Sequence, residues 1–141
     1  MIAFSIRTVG MAKILFRELE NHGDQRSFSF SVPREALEFL GGVGDVHVAS
    51  IRPQAVRGNH FHQLRREVIL ATYDTDWSFH WDEGEGCPGQ QRQFSGSGSI
   101  LVLIEPGASH AMRNDGTGTL VFAAVSSEAY NSQDSVSRKV V

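Results

Sequence analysis

The sequence predicts an all-β chain, a sandwich or barrel of short strands. Three observations carry that expectation. Short alternating or β-branched runs recur along the 141 residues, glycine- and proline-rich breaks separate them, and only one segment reads as a helix.

Taken in order, "RSFSFSV" (Arg26 to Val32) alternates Phe28, Phe30 and Val32 with serines, the pattern of a half-buried strand. "PREALEFLGG" is the one helix, with Pro33 near its start and Gly41 or Gly42 as its stop. "DVHVASI" (Asp45 to Ile51) is a strand whose two faces, Val46, Val48 and Ser50 against His47, Ala49 and Ile51, are hard to rank. "EVILATY" (Glu67 to Tyr73) and "DWSFHWD" (Asp76 to Asp82) suggest a hairpin around Asp74 and Thr75. The polar, glycine-rich stretch from Asp82 to Gly98 reads as a long hairpin connection. "SILVLIE" (Ser99 to Glu105) and "GTLVFAAVS" (Gly118 to Ser126) read as strands buried on both faces. No repeat of solenoid or propeller period is present, so residues 1–141 are expected to form a single domain with its barrel core at about 45–127.

Composition narrows the function classes. A net charge of -3 supplies no basic field for a phosphate backbone, so nucleic acid is not an expected partner. Cys87 is the only cysteine, which excludes an internal disulfide and a zinc site built on several thiolates, and points to the cytoplasm. Arg7 and Lys13 interrupt the apolar residues at the start, and no run approaches the roughly 20 apolar residues of a membrane span. Met11 is a possible alternative start. All-β barrels must cover their edge strands, so a homodimer is expected.

The chemistry concentrates on histidines. In "RGNHFHQLRRE" (Arg57 to Glu67), His60 and His62 are two residues apart and so share one strand face. Glu67 lies an odd number of residues beyond, so a bulge or turn in "QLRR" must intervene before it can face the same way. In "EPGASHAMRN" (Glu105 to Asn114), the Pro106–Gly107 turn leads His110 into another strand. An isolated HxH pair is more often a surface strand than a site. Three imidazoles and a carboxylate, however, suit a divalent transition metal (zinc, nickel, iron or manganese) with positions left open. Trp77, Phe79 and Trp81 share one face of their strand and His80 the other, so His80 is a further acid/base candidate if that second face lines the barrel. Tyr73 and Tyr130 are possible proton carriers or ligand contacts, while His22 and His47 show no partner pattern and are expected to be structural.

These residues resemble the cupin superfamily. Its first motif, G(x)5HxH(x)3–4E(x)6G, is matched by His60, His62 and Glu67, and the end of its second, G(x)2H(x)3N, by Gly107, His110 and Asn114. Gln54 and Asp74 stand where the first motif has glycines, and Pro106 directly precedes Gly107. The resemblance implies a small double-stranded β-helix barrel, jelly-roll-like and usually dimeric, with its site inside.

"RGNHFH" narrows the likeness to cupins of polysaccharide and sugar-nucleotide biosynthesis. One branch is similar to the cupin domain of capsular-polysaccharide assembly proteins, in which HxHx4E and a later histidine bind metal. The other is similar to sugar-nucleotide 3,4-ketoisomerases, in which the two histidines move protons without metal. The tail "SSEAYNSQDSVSR" resembles the second branch, and Glu67 the first.

The resemblance thus implies a sugar or sugar nucleotide as ligand and isomerase- or epimerase-type proton transfer. In that reading His60, His62, His80 and Tyr73 are the catalytic candidates, and Arg57, Asn114 and Tyr130 the substrate-binding ones. His60, His62, Glu67 and His110 are the metal-ligand candidates. A non-catalytic small-ligand cupin, a metal-free keto-sugar isomerase and an iron-dependent dioxygenase remain as alternatives, since one fold hosts many functions.

Overall fold

A computed structural model describes residues 12–141. The candidate start at Met11 lies outside the described residues. The strands are β1 (Ile14–Glu18), β2 (Asp45–Ile51), β3 (Val56–His62), β4 (Glu67–Tyr73), β5 (Trp77–Trp81), β6 (Gln90–Phe94), β7 (Gly98–Ile104), β8 (His110–Asn114), β9 (Leu120–Ser126) and β10 (Ser135–Ser137). One helix, α1 (Arg34–Leu40), starts after Pro33 and ends at Gly41, whose φ of 73° is the left-handed stop that glycine adopts freely. No helix among the described residues is long and apolar enough to cross a membrane.

The strands form two five-stranded antiparallel sheets, ordered β1-β7-β4-β9-β2 and β10-β3-β8-β5-β6. The central pairs are nested: β5 with β6, β4 with β7, β3 with β8 and β2 with β9. That is one long hairpin, with its tip after Trp81, rolled into a double-stranded β-helix. Successive strands therefore mostly change sheet.

The proposed hairpin of "EVILATY" with "DWSFHWD" is corrected by this topology. Strand β4 and strand β5 belong to different sheets, and the turn between them is a crossover. The partner of β5 is β6, which sits inside the stretch expected to be pure connection. "QQRQF" escaped recognition because four of its five residues are polar. "RSFSFSV" forms no strand: Ser27 makes a single bridge to Asp24, and Phe28 is 58% exposed. Two further strands, β1 and the three-residue β10, carry no strand pattern that the sequence makes evident.

Strand β7 is buried on both faces, as its unbroken apolar run requires. Its outward Leu101 packs with Val68 beneath Ala36 and Leu40 of α1. Strand β9 instead alternates, with Val121 49% exposed. On β2 the inward set is His47, Ala49 and Ile51, whereas Val46 and Val48 face out at 61% and 65%.

Between the sheets, one side of the barrel is filled by aromatic side chains. Trp77 stacks on Phe94 at 4.3 Å, and Phe16 meets Phe79 edge-on at 5.5 Å. Each such buried side chain contributes roughly 1.5–3 kcal/mol of burial. The other side, between β2, β9 and β4 and the facing β3 and β8, stays open.

Candidate functional site

The open side is a cavity of about 520 Å³, within the size range of small-molecule sites. Its walls carry Arg57, His60, His62, Arg65, Glu67 and His110, with His47 and Tyr130 further round.

Local backbone chemistry aims the histidines. The β3–β8 register shifts between Gly58 and His60, a β-bulge. Gly58 has φ +116°, and a Cβ there would lie 2.5 Å from the His110 carbonyl oxygen, so the two strands approach as closely as glycine allows. Asn59 follows at φ 60°, a left-handed value that asparagine tolerates. Past the bulge His60 stands opposite His110, and His62 points to the same side. Ring centroids are 4.9 Å apart for His60–His62, 5.2 Å for His60–His110 and 5.8 Å for His62–His110.

Glu67 comes from the other sheet. Residues 63–66 carry the chain across the barrel mouth, and this crossover supplies the turn that the odd spacing from His62 demands. The carboxylate ends between two imidazoles, Oε2 3.6 Å from His62 Nε2 and Oε1 3.4 Å from His110 Nε2. These contacts are long for hydrogen bonds and are read as electrostatic.

Burial governs the titration of the cluster. It opposes ionisation of Glu67, yet contact with His110 and the nearby His62 and Arg65 outweigh it and hold the pKa at about 2. Burial, with the neighbouring His110, pushes His60 down to about 4. His62 is likewise at about 4, burial outweighing the attraction of Glu67. Both rings are neutral at physiological pH, the form that offers a lone pair.

The donor set fits a divalent transition metal. Ligating nitrogens of His60, His62 and His110 lie within 4.8 Å of one another. His110 Nε2 is buried with no hydrogen-bond partner, a costly state that an ion beside Glu67 would relieve. His110 Nδ1 lies 3.0 Å from the Ala108 carbonyl, which only accepts, so Nδ1 carries the proton. In the neutral ring Nε2 then points its lone pair at the Glu67 carboxylate, an arrangement stabilised only by positive charge between them. The backbone bond on Nδ1 is the usual outer partner of a ligating imidazole.

Three candidates lie elsewhere. Tyr73 ends β4, six residues and so roughly 20 Å along the strand from Glu67, where its ring packs on Trp77 and Phe94. His80 projects to the face of β5 away from the cavity because Trp77, Phe79 and Trp81 take the barrel interior; it is nonetheless buried, with its Nε2 2.8 Å from Ser78 Oγ. Asn114 is a structural clamp, donating from Nδ2 to the carbonyls of Ile51 (2.9 Å) and Gly118 (2.6 Å) and accepting from Gly116 N–H. Arg57 does line the cavity, its Nε donating to the Ser50 carbonyl at 2.8 Å, and Tyr130 lines it at 74% exposure.

Sequence reasoning also missed residues. His47, expected to be structural, lines the cavity from β2. Arg65 reaches the cavity with Nη2 3.4 Å from His62 Nε2, and Asp134 is buried behind it. Only the inward parity of His47 with Ile51 offered a signal, and the ranking of the faces of β2 was open.

No family model and no curated protein matches the sequence. Solved structures do match in shape. The sugar 3,4-ketoisomerase QdtA from Thermoanaerobacterium thermosaccharolyticum, in complex with TDP, superposes with a TM-score of 0.67 at 14% identity, over 89% of this chain and 88% of that one. The RmlC epimerase of Mycobacterium tuberculosis gives 0.72 at 16% identity, covering 91% and 70%. The chain has the cupin fold. The capsular polysaccharide assembling protein CapF from Staphylococcus aureus also matches (0.62, 20% identity), over 86% of this chain and 34% of CapF. These identities speak for shape, and of the motif residues His60, His62, Glu67 and His110 meet at the cavity, whereas Gly107 and Asn114 do not line it.

Proposed function

We propose that this cupin binds a sugar or a nucleotide-linked sugar and moves a proton between adjacent ring carbons, as an isomerase or epimerase, with a divalent transition metal held by His60, His62, Glu67 and His110. The gathering of these four donors from both sheets onto one cavity wall carries the reading. The TDP complex of QdtA supports a nucleotide-linked ligand.

A bound divalent ion would polarise a sugar carbonyl or hydroxyl and lower the cost of developing negative charge. The chain's own groups do the rest. His60 is half-buried where His62 and His110 are each 3% exposed, so it is the histidine best placed to meet the ring. Arg57 offers a planar fork to a diphosphate or a hydroxyl. Tyr130 and Asn131 border the opening and would confine the ligand.

A second reading, metal-free isomerisation, is favoured by the neutral state of His60 and His62. A neutral imidazole takes a proton from the carbon beside a carbonyl, and the imidazolium so formed returns it to the neighbouring position.

Metal analysis of protein prepared without added metal separates the two readings. Stoichiometric metal, lost in His62→Ala, supports the first. None, even after soaking with zinc, nickel and iron, overturns it and leaves the second. Deuterium entering the carbon beside the carbonyl, across a panel of keto-sugar nucleotides in heavy water, then marks an enzyme. A ligand bound without exchange marks a binding module.

We further propose a homodimer. Strand β2 is a seven-residue edge whose outward Val46 and Val48 are well exposed. Light scattering at two concentrations checks it, and a monomer at both would exclude it.

A further inference from the structure

Asp134 is a buried carboxylate that the proposed chemistry does not use. It is 5% exposed and sits at the end of a short 3-10 turn, Ser132–Asp134, just before β10. Its partners are the crossover between the two halves of the cluster. Gln63 N–H donates to Oδ1 at 3.1 Å, Leu64 N–H to Oδ1 at 2.7 Å and Arg65 N–H to Oδ2 at 3.4 Å. Arg65 Nε lies 3.8 Å from the same Oδ2, and its Nη2 is the group beside His62. Asp134 thus gathers the amides of the loop that begins after His62 in one sheet and ends at Glu67 in the other.

The residues after it continue the pattern. Ser135 and Ser137 pair with His62 and His60 in the β10–β3 ladder. Arg138 binds the carboxylate of Asp82 (Nε to Oδ2, 2.9 Å) and the carbonyl of Gly107 (2.8 Å), at the turn that leads into His110. Asn59 Oδ1, in the bulge, accepts the N–H of Val140 at 2.8 Å. Each segment that delivers a donor on β3, β8 or the crossover is held from this one strap.

We propose that Asp134 is a positioning residue for the cluster: by fixing residues 63–65 it sets the separation of His62 from Glu67 and the place of Arg65 beside them. The inference rests on the reading of the cluster as a working site, and it is independent of which of the two readings holds. Asp134→Asn isolates the effect. It keeps an acceptor for Gln63 and Leu64 but turns an N–H2 toward the Arg65 amide and guanidinium.

The test uses the full chain and two readouts that a general loss of stability would not move selectively. Imidazole nitrogen spectra of metal-free protein should show the His62 signals shifted or doubled in Asp134→Asn, with those of His22 and His80 unchanged. Cobalt(II) titration should show affinity reduced by about tenfold, the low end of what loss of a direct outer partner costs, because Asp134 acts on His62 only through the loop. Unchanged His62 signals and unchanged cobalt affinity in a folded variant overturn the proposal. A wild-type chain that takes no cobalt defeats the metal reading alone, and the imidazole spectra then decide. If Asp134→Asn does not fold, Asp134→Glu, which keeps the charge but displaces it, should show the same selective His62 change. If neither folds, Asp134 maintains the fold as a whole and the positioning role is rejected.

Discussion

Glu67 and His110 meet across the barrel, one from the first residue of β4 in one sheet and the other from the first residue of β8 in the opposite sheet, with Oε1 3.4 Å from Nε2. Since His110 Nδ1 is committed to the Ala108 carbonyl, the contact calls for a cation or a proton between them. Removing the carboxylate charge while keeping its shape tests this. Glu67→Gln should reduce zinc or cobalt affinity by about ten- to a hundredfold, read by competition with a chromophoric chelator. Unchanged affinity would place the ion, if any, on the histidines alone.

The cluster also fixes a direction for the pH dependence of stability. His60 and His62 titrate at about 4 in the folded chain, against 6.5 for the unfolded one. Between those values the unfolded state binds more protons, so stability is full above about pH 6.5 and falls as pH drops toward 4. Glu67, depressed from 4.5 to about 2, adds a second loss in the same direction as pH falls below 4.5. Unfolding free energies of metal-free protein from urea titrations at pH 7, 5.5 and 4.5 should decline in that order, by on the order of 1–2 kcal/mol per histidine after solvent screening. His60→Asn should flatten the decline; a midpoint independent of pH would contradict the burial argument.

Gly58→Ala places a methyl where the His110 carbonyl oxygen already lies, at a φ of +116°. The expected cost is about 2 kcal/mol or more, because both the backbone conformation and the strand approach are forbidden to alanine. Thermal unfolding reads the loss. A variant as stable as the parent would show that the bulge relaxes freely.

Two substitutions should leave the site untouched. Tyr73→Phe and His80→Gln alter groups that lie outside the cavity, so metal binding and ligand binding should match wild type within about twofold, well under the factor of ten that 1.4 kcal/mol represents. A tenfold loss of either in His80→Gln would restore His80 to the site. Calorimetric titration with metal, and with TDP as ligand probe, makes the comparison.

Much of the candidate site was legible because strand parity is local. Two residues apart on a strand means one face, so His60 and His62 had to project together, and the odd step to Glu67 had to contain a turn. The proline and glycine before His110 marked a tight turn into a strand for equally local reasons. His80 lies away from the cavity because parity separates two faces without saying which is inside, and Tyr73, on the same face of β4 as Glu67, lies away because parity does not say which end of the barrel is open. On β5 the three aromatic residues outweigh Ser78 and His80 for the interior, and that competition depends on what the facing sheet presents.

By itself, the sequence determined that this chain would be built of short strands, with His60 paired to His62 and a single short helix stopped at glycine. It also held the motif residues by which the chain resembles cupins. Tertiary structure alone decided which strands share a sheet, that β4 and β5 separate at their turn, and that Arg65, His47 and Asp134 surround the cluster. The physical reason is range. Periodicity and turn chemistry act over a few residues, whereas Asp134 reaches the amide of Leu64 across 70 positions of chain, and only the rolled hairpin brings them together.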